Sequence, residues 1–264
     1  MSDLDVGLRL LDRQIVGQED ELFGNVDNGV LEEVDGRLTL TGIITGVPGL
    51  SPRIGGRLGG WMYAIWRRLR PETNPQAVLV PMTRIERIDS AVTIDEAAQR
   101  EVADASQLER WLRYYVIARI PGAAGGPDRL SGDPLPTGGT IQHPTELPET
   151  AHLCSDLLHA TVLDADGREL GRVYDLTVEA PRKGRTRVGS LAVTTLRCGR
   201  RRLGAEMGYR TDPSQGPWII AAPLRAYHRE DRVVPLDRVE HIDWAARTVH
   251  VRGTASLRHP YDPA

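Results

Sequence analysis

The side chains best suited to chemistry are scarce in this chain and poorly placed to act together. The seven histidines are scattered, and no HxxxH or HExxH pair sets two imidazoles on one helical face, as a zinc site on a helix would need. His241 and His250 fall on neighbouring expected strands and His159 opens another, positions that suit histidines on the rim of a barrel. Cys154 and Cys198 are the only cysteines, with neither a CxxC pair nor metal-ligand spacing. They are expected to be two reduced thiols in the cytosol, although the sequence alone also permits a disulfide. Lys183 is the only lysine, which removes the phosphate-loop lysine and leaves little scope for a Schiff base. Gly55-Gly56-Arg57-Leu58-Gly59-Gly60 has the glycine density of a phosphate cradle, but it lacks that lysine and follows no clear strand, so it reads as a hinge. Glu86 and Glu240 each stand two residues after an arginine, Arg84 and Arg238, and such pairs read as salt bridges on the outer face of a strand. Paired carboxylates doing acid–base work would need burial and a cleft, which nothing in the pattern signals. No catalytic group, metal or cofactor is therefore expected, and the chain reads as non-enzymatic.

One segment does have chemical character. Between residues 58 and 70, Leu58, Trp61, Met62, Ile65, Trp66 and Leu69 recur at helical spacing on one face. Arg67, Arg68 and Arg70 gather at the C-terminal end, where the helix dipole favours cations, and Pro71 ends the helix. Such a helix fits a partner-binding surface, for a protein or for a bilayer interface. The plainer expectation is packing on its own barrel or on a second helix at 101–120. That helix is announced by the capping box Ser106-Gln107-Leu108-Glu109 and by Leu108, Trp111, Leu112, Tyr115 and Val116. A second basic cluster, Arg200-Arg201-Arg202 with Trp218 downstream, has the residue types of an RNA contact. The net charge of -3 gives no global field to support nucleic-acid binding, so a solvated loop is the plainer expectation.

The elements that position these residues are announced by a phrase that occurs twice. Val80-Pro81-Met82-Thr83-Arg84-Ile85-Glu86-Arg87-Ile88-Asp89 returns as Val234-Pro235-Leu236-Asp237-Arg238-Val239-Glu240-His241-Ile242-Asp243. Upstream of each lies a matching phrase, Phe23-Gly24-Asn25-Val26 and Leu170-Gly171-Arg172-Val173. Two phrases in the same order point to an internal duplication. Short alternating runs with turn signals between them predict strands. Among them are Thr161–Leu163, Leu170–Val178 and Thr248–Val251, with turns at Val34-Asp35-Gly36-Arg37 and Asp164-Ala165-Asp166-Gly167. The expected class is mainly β: two small barrels with helical inserts, joined by a Gly/Pro-rich linker.

The expected organisation is a first barrel at 1–100 with an insert at 48–76, the amphipathic helix at 101–120 and a linker at 121–150. A second barrel follows at 151–256 with an insert at 197–232, then a tail at 257–264. At this length each barrel is expected to bury its own core, and 151–264 to fold alone. The prolines of the Val-Pro phrases are expected to begin a strand or to sit on an edge. The first residues carry neither a basic region nor an apolar one, and no apolar run is long enough to cross a bilayer. A cytoplasmic protein is expected, either free or peripheral at the inner membrane face.

The segment from Asp166 to Leu176 resembles the opening hairpin of the PRC-barrel family, and Val233-Val234-Pro235-Leu236 through Val249-His250-Val251 is similar to its closing strands. Glu21 to Asp27 and Val80-Pro81-Met82 take the corresponding places in the first half. The resemblance spans most of 6–95 and 155–253, outside the inserts, the helix and the linker. It implies a compact β-barrel used as a docking surface, as in the photosynthetic reaction-centre H subunit and a ribosome maturation factor. The expected function is an adaptor or scaffold whose partner choice lies in its inserts. The alternative is a ribosome-associated or RNA-binding maturation factor.

Overall fold

The structure is a computed structural model that describes residues 3–19, 21–54, 56–69, 78–105, 147–148, 150–181, 187–199 and 232–253. The first half contains β1 (Leu4–Asp5), α1 (Val6–Arg9), β2 (Gln14–Val16), β3 (Leu22–Asn25), β4 (Asn28–Val34) and β5 (Arg37–Thr45). Two helices follow, α2 (Val47–Ile54) and α3 (Gly56–Leu69), and then β6 (Val78–Pro81), β7 (Ile85–Ile88), β8 (Val92–Ile94) and α4 (Glu96–Ala105). The second half contains β9 (His152–Leu153), α5 (Cys154–Leu157), β10 (Thr161–Leu163), β11 (Glu169–Val178), β12 (Leu191–Gly199), β13 (Arg232–Pro235), β14 (Val239–Asp243) and β15 (Thr248–Val251). The protein is mainly β. One sheet runs β14-β15-β10-β11-β12-β5-β4-β9, with β1, β13 and β6 attached to β11, β12 and β5. A second sheet runs β3-β2-β8-β7.

The turns follow from their residues. Asp35 and Gly36 take positive φ, 51° and 71°, and close the β4–β5 hairpin in the mirror-image turn that matches strand twist. After β10, the Asp164 carboxylate accepts the amides of Asp166 and Arg168, both at 2.9 Å, while Gly167 supplies φ 75°. Gly24 and Gly171, the glycines of the recurring upstream phrase, sit at φ 132° and 138°. A Cβ at Gly171 would meet the Gly199 backbone at 2.6 Å. Only glycine combines that dihedral with so close an approach. Pro81 and Pro235 are the last residues of β6 and β13, each paired on one side among the described residues, so the missing N–H costs no ladder bond. A 3-10 turn follows each, at Met82–Arg84 and Leu236–Arg238.

The halves share registers. Ile15 pairs with Gly24 and, in parallel, with Val92; Val162 pairs with Gly171 and, in parallel, with Val249. The halves also exchange their first strands. Leu4 and Asp5 of β1 pair with Val178 and Thr177 of β11, while His152 and Leu153 of β9 pair with Leu31 and Val30 of β4. Between these exchanges β5 meets β12, Leu40 opposite Leu191 and Thr39 opposite Ala192. One buried cluster takes in Ile15, Leu31, Ile43 and Ile85 from the first half and Leu157, Val162, Leu176 and Leu196 from the second. The expectation of separate cores is thus corrected. A two-residue strand cannot bury itself, and β1 and β9 each find their sheet in the opposite half.

Smaller corrections follow the same logic. The first barrel, expected to be built of strands, opens instead with the helical turn α1, with Val6 and Leu10 fully buried. The first insert holds two helices rather than one, and Gly59 and Gly60 of the expected hinge lie inside α3. The second insert begins after Gly199, because β12 continues through Leu196 and Cys198 into the core. The acidic stretch after β8 is the helix α4, whose N-cap Asp95 accepts the Ala98 amide at 2.9 Å. The capping box at 106–109, the rest of that expected helix, and most of the linker lie outside the described residues.

Candidate docking surface on the helical insert

The insert is built outward from the β platform. Asp27 accepts the Gly46 amide at 2.6 Å just before α2, and the Asn28 amide group donates to the Gly49 carbonyl at 3.0 Å within it. Arg53, at the other end of α2, makes two hydrogen bonds to Asp12, at 2.7 and 2.5 Å. Those bonds hold the Arg53 guanidinium above its ordinary pKa. Asp12 itself sits at φ 67° in the turn before β2. Helix α2 is therefore clamped at both ends, and it packs against β5, β4 and α5.

Helix α3 packs on α2, and the contact has a specific cause. Gly59 is buried, and a Cβ there would fall 2.3 Å from the Ser51 carbonyl oxygen. The missing side chain lets the two helix backbones meet. Met62, one turn on, is half-buried. Leu58 and Trp61 flank that seam and face solvent, with 58% and 62% of their surface exposed; Arg57, Gly60, Tyr63 and Ala64 are exposed as well. The six-residue face expected from spacing is thereby divided, with Met62 turned toward α2 and Leu58 and Trp61 turned away. Ile65, Trp66, Arg67, Arg68 and Leu69 lie on α3, but their side chains, and Arg70 altogether, lie outside the described residues. Arg200, Arg201, Arg202 and Trp218 lie outside them too.

Beneath the insert is a polar feature that spacing did not announce. Asn28 and Asp175 are buried at equivalent places in β4 and β11, and each grips the first helical turn of the opposite half. Asn28 accepts the amides of Gly29 and Ser155 at 3.0 and 3.2 Å, and its own NH2 donates to Ser155 Oγ at 2.9 Å. Asp175 accepts the amides of Leu176 and Gly7 at 2.7 and 2.6 Å. Here the symmetry ends. Asp175 Oδ2 is buried with no hydrogen-bond partner, and Gly7 offers no hydroxyl where Ser155 does. Burial pushes the Asp175 carboxyl up to about 6; the Asp5 carboxylate adds to the rise, while the Gly7 and Leu176 amides and Arg197 oppose it. Arg197 lies across the ladder from Asp175 and spends its charge on Asp5 at 3.2 Å. The strand pattern gave no signal for it: Tyr174, Leu176 and Val178 alternate as the apolar set against Asp175 and Thr177, yet every residue from Asp175 to Val178 is buried.

The remaining candidates resolve as structure. Cys154 and Cys198 are buried and form no disulfide, and burial pushes the Cys154 thiol up to about 12, which leaves it protonated and inert. His241 and His250 stack across β14 and β15 with ring centroids 4.1 Å apart. No group of three or more potential metal ligands occurs among the described residues. Arg84 pairs with Asp95 at 3.7 Å and Glu101 at 3.9 Å rather than with Glu86, which accepts a hydrogen bond from Gln18 at 3.1 Å. No helix among the described residues is long and apolar enough to cross a membrane. No protein-family model matches the chain, and no curated protein matches it.

Proposed function

We propose that this protein is a non-catalytic docking adaptor: a platform of two PRC-type barrels whose helical insert presents the partner-binding surface. The shared strand registers of the halves support the reading of two like units. The observation that carries the functional reading is the Leu58–Trp61 face. An exposed tryptophan and leucine side by side on a helix that packs on the clamped α2 form a preorganised apolar surface, and water is a poor place to leave one. The clamp matters as much as the face. The Arg53–Asp12 and Asn28–Gly49 bonds fix the insert, so docking pays little ordering entropy. The adaptor works in the cytoplasm on this reading, with both thiols reduced.

Photo-crosslinking in cells tests it. A photoreactive residue at position 61 is expected to give a discrete adduct, while one at Asp35, in the exposed β4–β5 turn, gives none. Equal, diffuse labelling from both positions would defeat the docking reading.

A further inference from the structure

We propose that the Leu58–Trp61 face of α3 docks on the anionic surface of a lipid bilayer. The inference rests on the docking reading above and names its partner. Charge argues first. From Val47 to Pro71 the chain carries five arginines, Arg53, Arg57, Arg67, Arg68 and Arg70, and no aspartate or glutamate, although the whole chain has a net charge of -3. Arg53 is committed to Asp12, whereas Arg57 is exposed one residue before Leu58. So concentrated a basic segment in an acidic protein calls for an anionic partner.

Side-chain chemistry separates a bilayer from an acidic protein. Between Gly56 and Trp66 there is no Ser, Thr, Asn, Gln, Asp or Glu, so the only side chains able to hydrogen-bond are Arg57, the two tryptophans and Tyr63. A protein interface surrounds its apolar centre with a polar rim that makes directed hydrogen bonds. Aliphatic, tryptophan, tyrosine and arginine side chains together are instead the set that settles at a membrane–water interface, rings at headgroup level and guanidinium groups on phosphate. The geometry suits that depth: Leu58 and Trp61 project from the solvent side of α3, and a Cβ at Gly60 between them would meet nothing within 4 Å. Among the described residues, nothing stands in front of this part of the face. A contact of this size is weak and reversible, and depends on apolar insertion and on charge together.

The test is co-sedimentation of the full-length protein with vesicles of phosphatidylcholine alone or with about one third phosphatidylglycerol, at low and high salt. Binding to the anionic vesicles is expected, falling about tenfold or more on pure phosphatidylcholine, in high salt, and in Leu58→Ser/Trp61→Ser or Arg57→Glu. The variants are checked by melting temperature, and the lipid and salt arms need no variant. Absence of binding to anionic vesicles, or binding that ignores lipid charge, would overturn the proposal. If that failure came with a discrete protein adduct from position 61, the docking reading would stand and the partner would be an acidic protein. If position 61 gave no adduct of any kind, both would fall.

Discussion

Asp175 is a buried carboxylate left partly unsatisfied. Its carboxyl is buried, holds two amides through one oxygen and leaves the other without a partner. The folded state keeps that carboxyl protonated up to about pH 6, against an ordinary value of 3.8, so between those values the native state binds more protons than the unfolded chain. Stability therefore falls as pH rises through this window, by on the order of 3 kcal/mol. Asp175→Asn installs the residue that β4 already uses at Asn28. The variant is expected to melt higher than the wild type at about pH 7, to match it near pH 4, and to lose the slope between. Chemical denaturation across pH measures this, and an unchanged slope would mean that Asp175 does not carry the charge penalty. Asn28→Ala should do the opposite and destabilise at every pH, by ~2 kcal/mol or more, since it strands the Gly29 and Ser155 amides in the interior. Little of this was legible in the sequence. Asn28-Gly29 looks like turn chemistry, yet it opens a buried strand. The alternation around Asp175 sets it opposite the apolar Leu176 and Val178, and nothing in it points to Gly7, 168 residues away, as its partner.

The insert hairpin is the element that the sequence announced best and placed least well. The apolar spacing from Leu58 and the stop at Pro71 foretold a helix, and α3 runs from Gly56 to Leu69. Helix α2 was missed because Pro48, Gly49 and Pro52 are poor helix formers. Its stability comes from tertiary clamps, the Arg53–Asp12 pair and the Asn28–Gly49 bond, which local propensity does not contain. The division of the expected face has a single cause in Gly59, which turns one side of α3 into a seam. Gly59→Leu is thus expected to force the helices apart, since its side chain would enter the space of the Ser51 carbonyl, and to expose the hairpin to limited proteolysis. Leu58→Ala with Trp61→Ala should leave the melting transition nearly in place, within ~1 kcal/mol, because both side chains are mostly in water. A collapse of several kcal/mol, the ~3–5 typical of a buried Trp→Ala, would show that the face is packing and defeat its use for docking.

At the scale of the whole molecule, recurrence in the sequence predicted like elements but not their exchange. Repeated phrases record which strands exist; they do not record that β1 crosses to β11 and β9 to β4, because those segments are too short to carry a pattern. Further ties cross the halves: the Val188 amide donates to the Ile85 carbonyl at 2.8 Å, Arg187 pairs with Asp95 at 3.1 Å, and Arg37 pairs with Glu179 at 2.8 Å. The last is exposed and contributes little, whereas the shared apolar cluster contributes most. A fragment of 150–264 is accordingly expected to lack a cooperative melting transition as a monomer, since β11 loses β1, and β9 loses β4. Native-state hydrogen exchange on Val249→Ala tests most directly whether the two halves are one body. Val249 is fully buried in β15, remote in sequence from the first half, and its truncation should cost a few kcal/mol. One body predicts that the slowest amides of β5 and β8 lose as much protection as those of β11 and β12. Protection lost in the second half alone, with β5 and β8 unchanged, would contradict it and leave two independent domains.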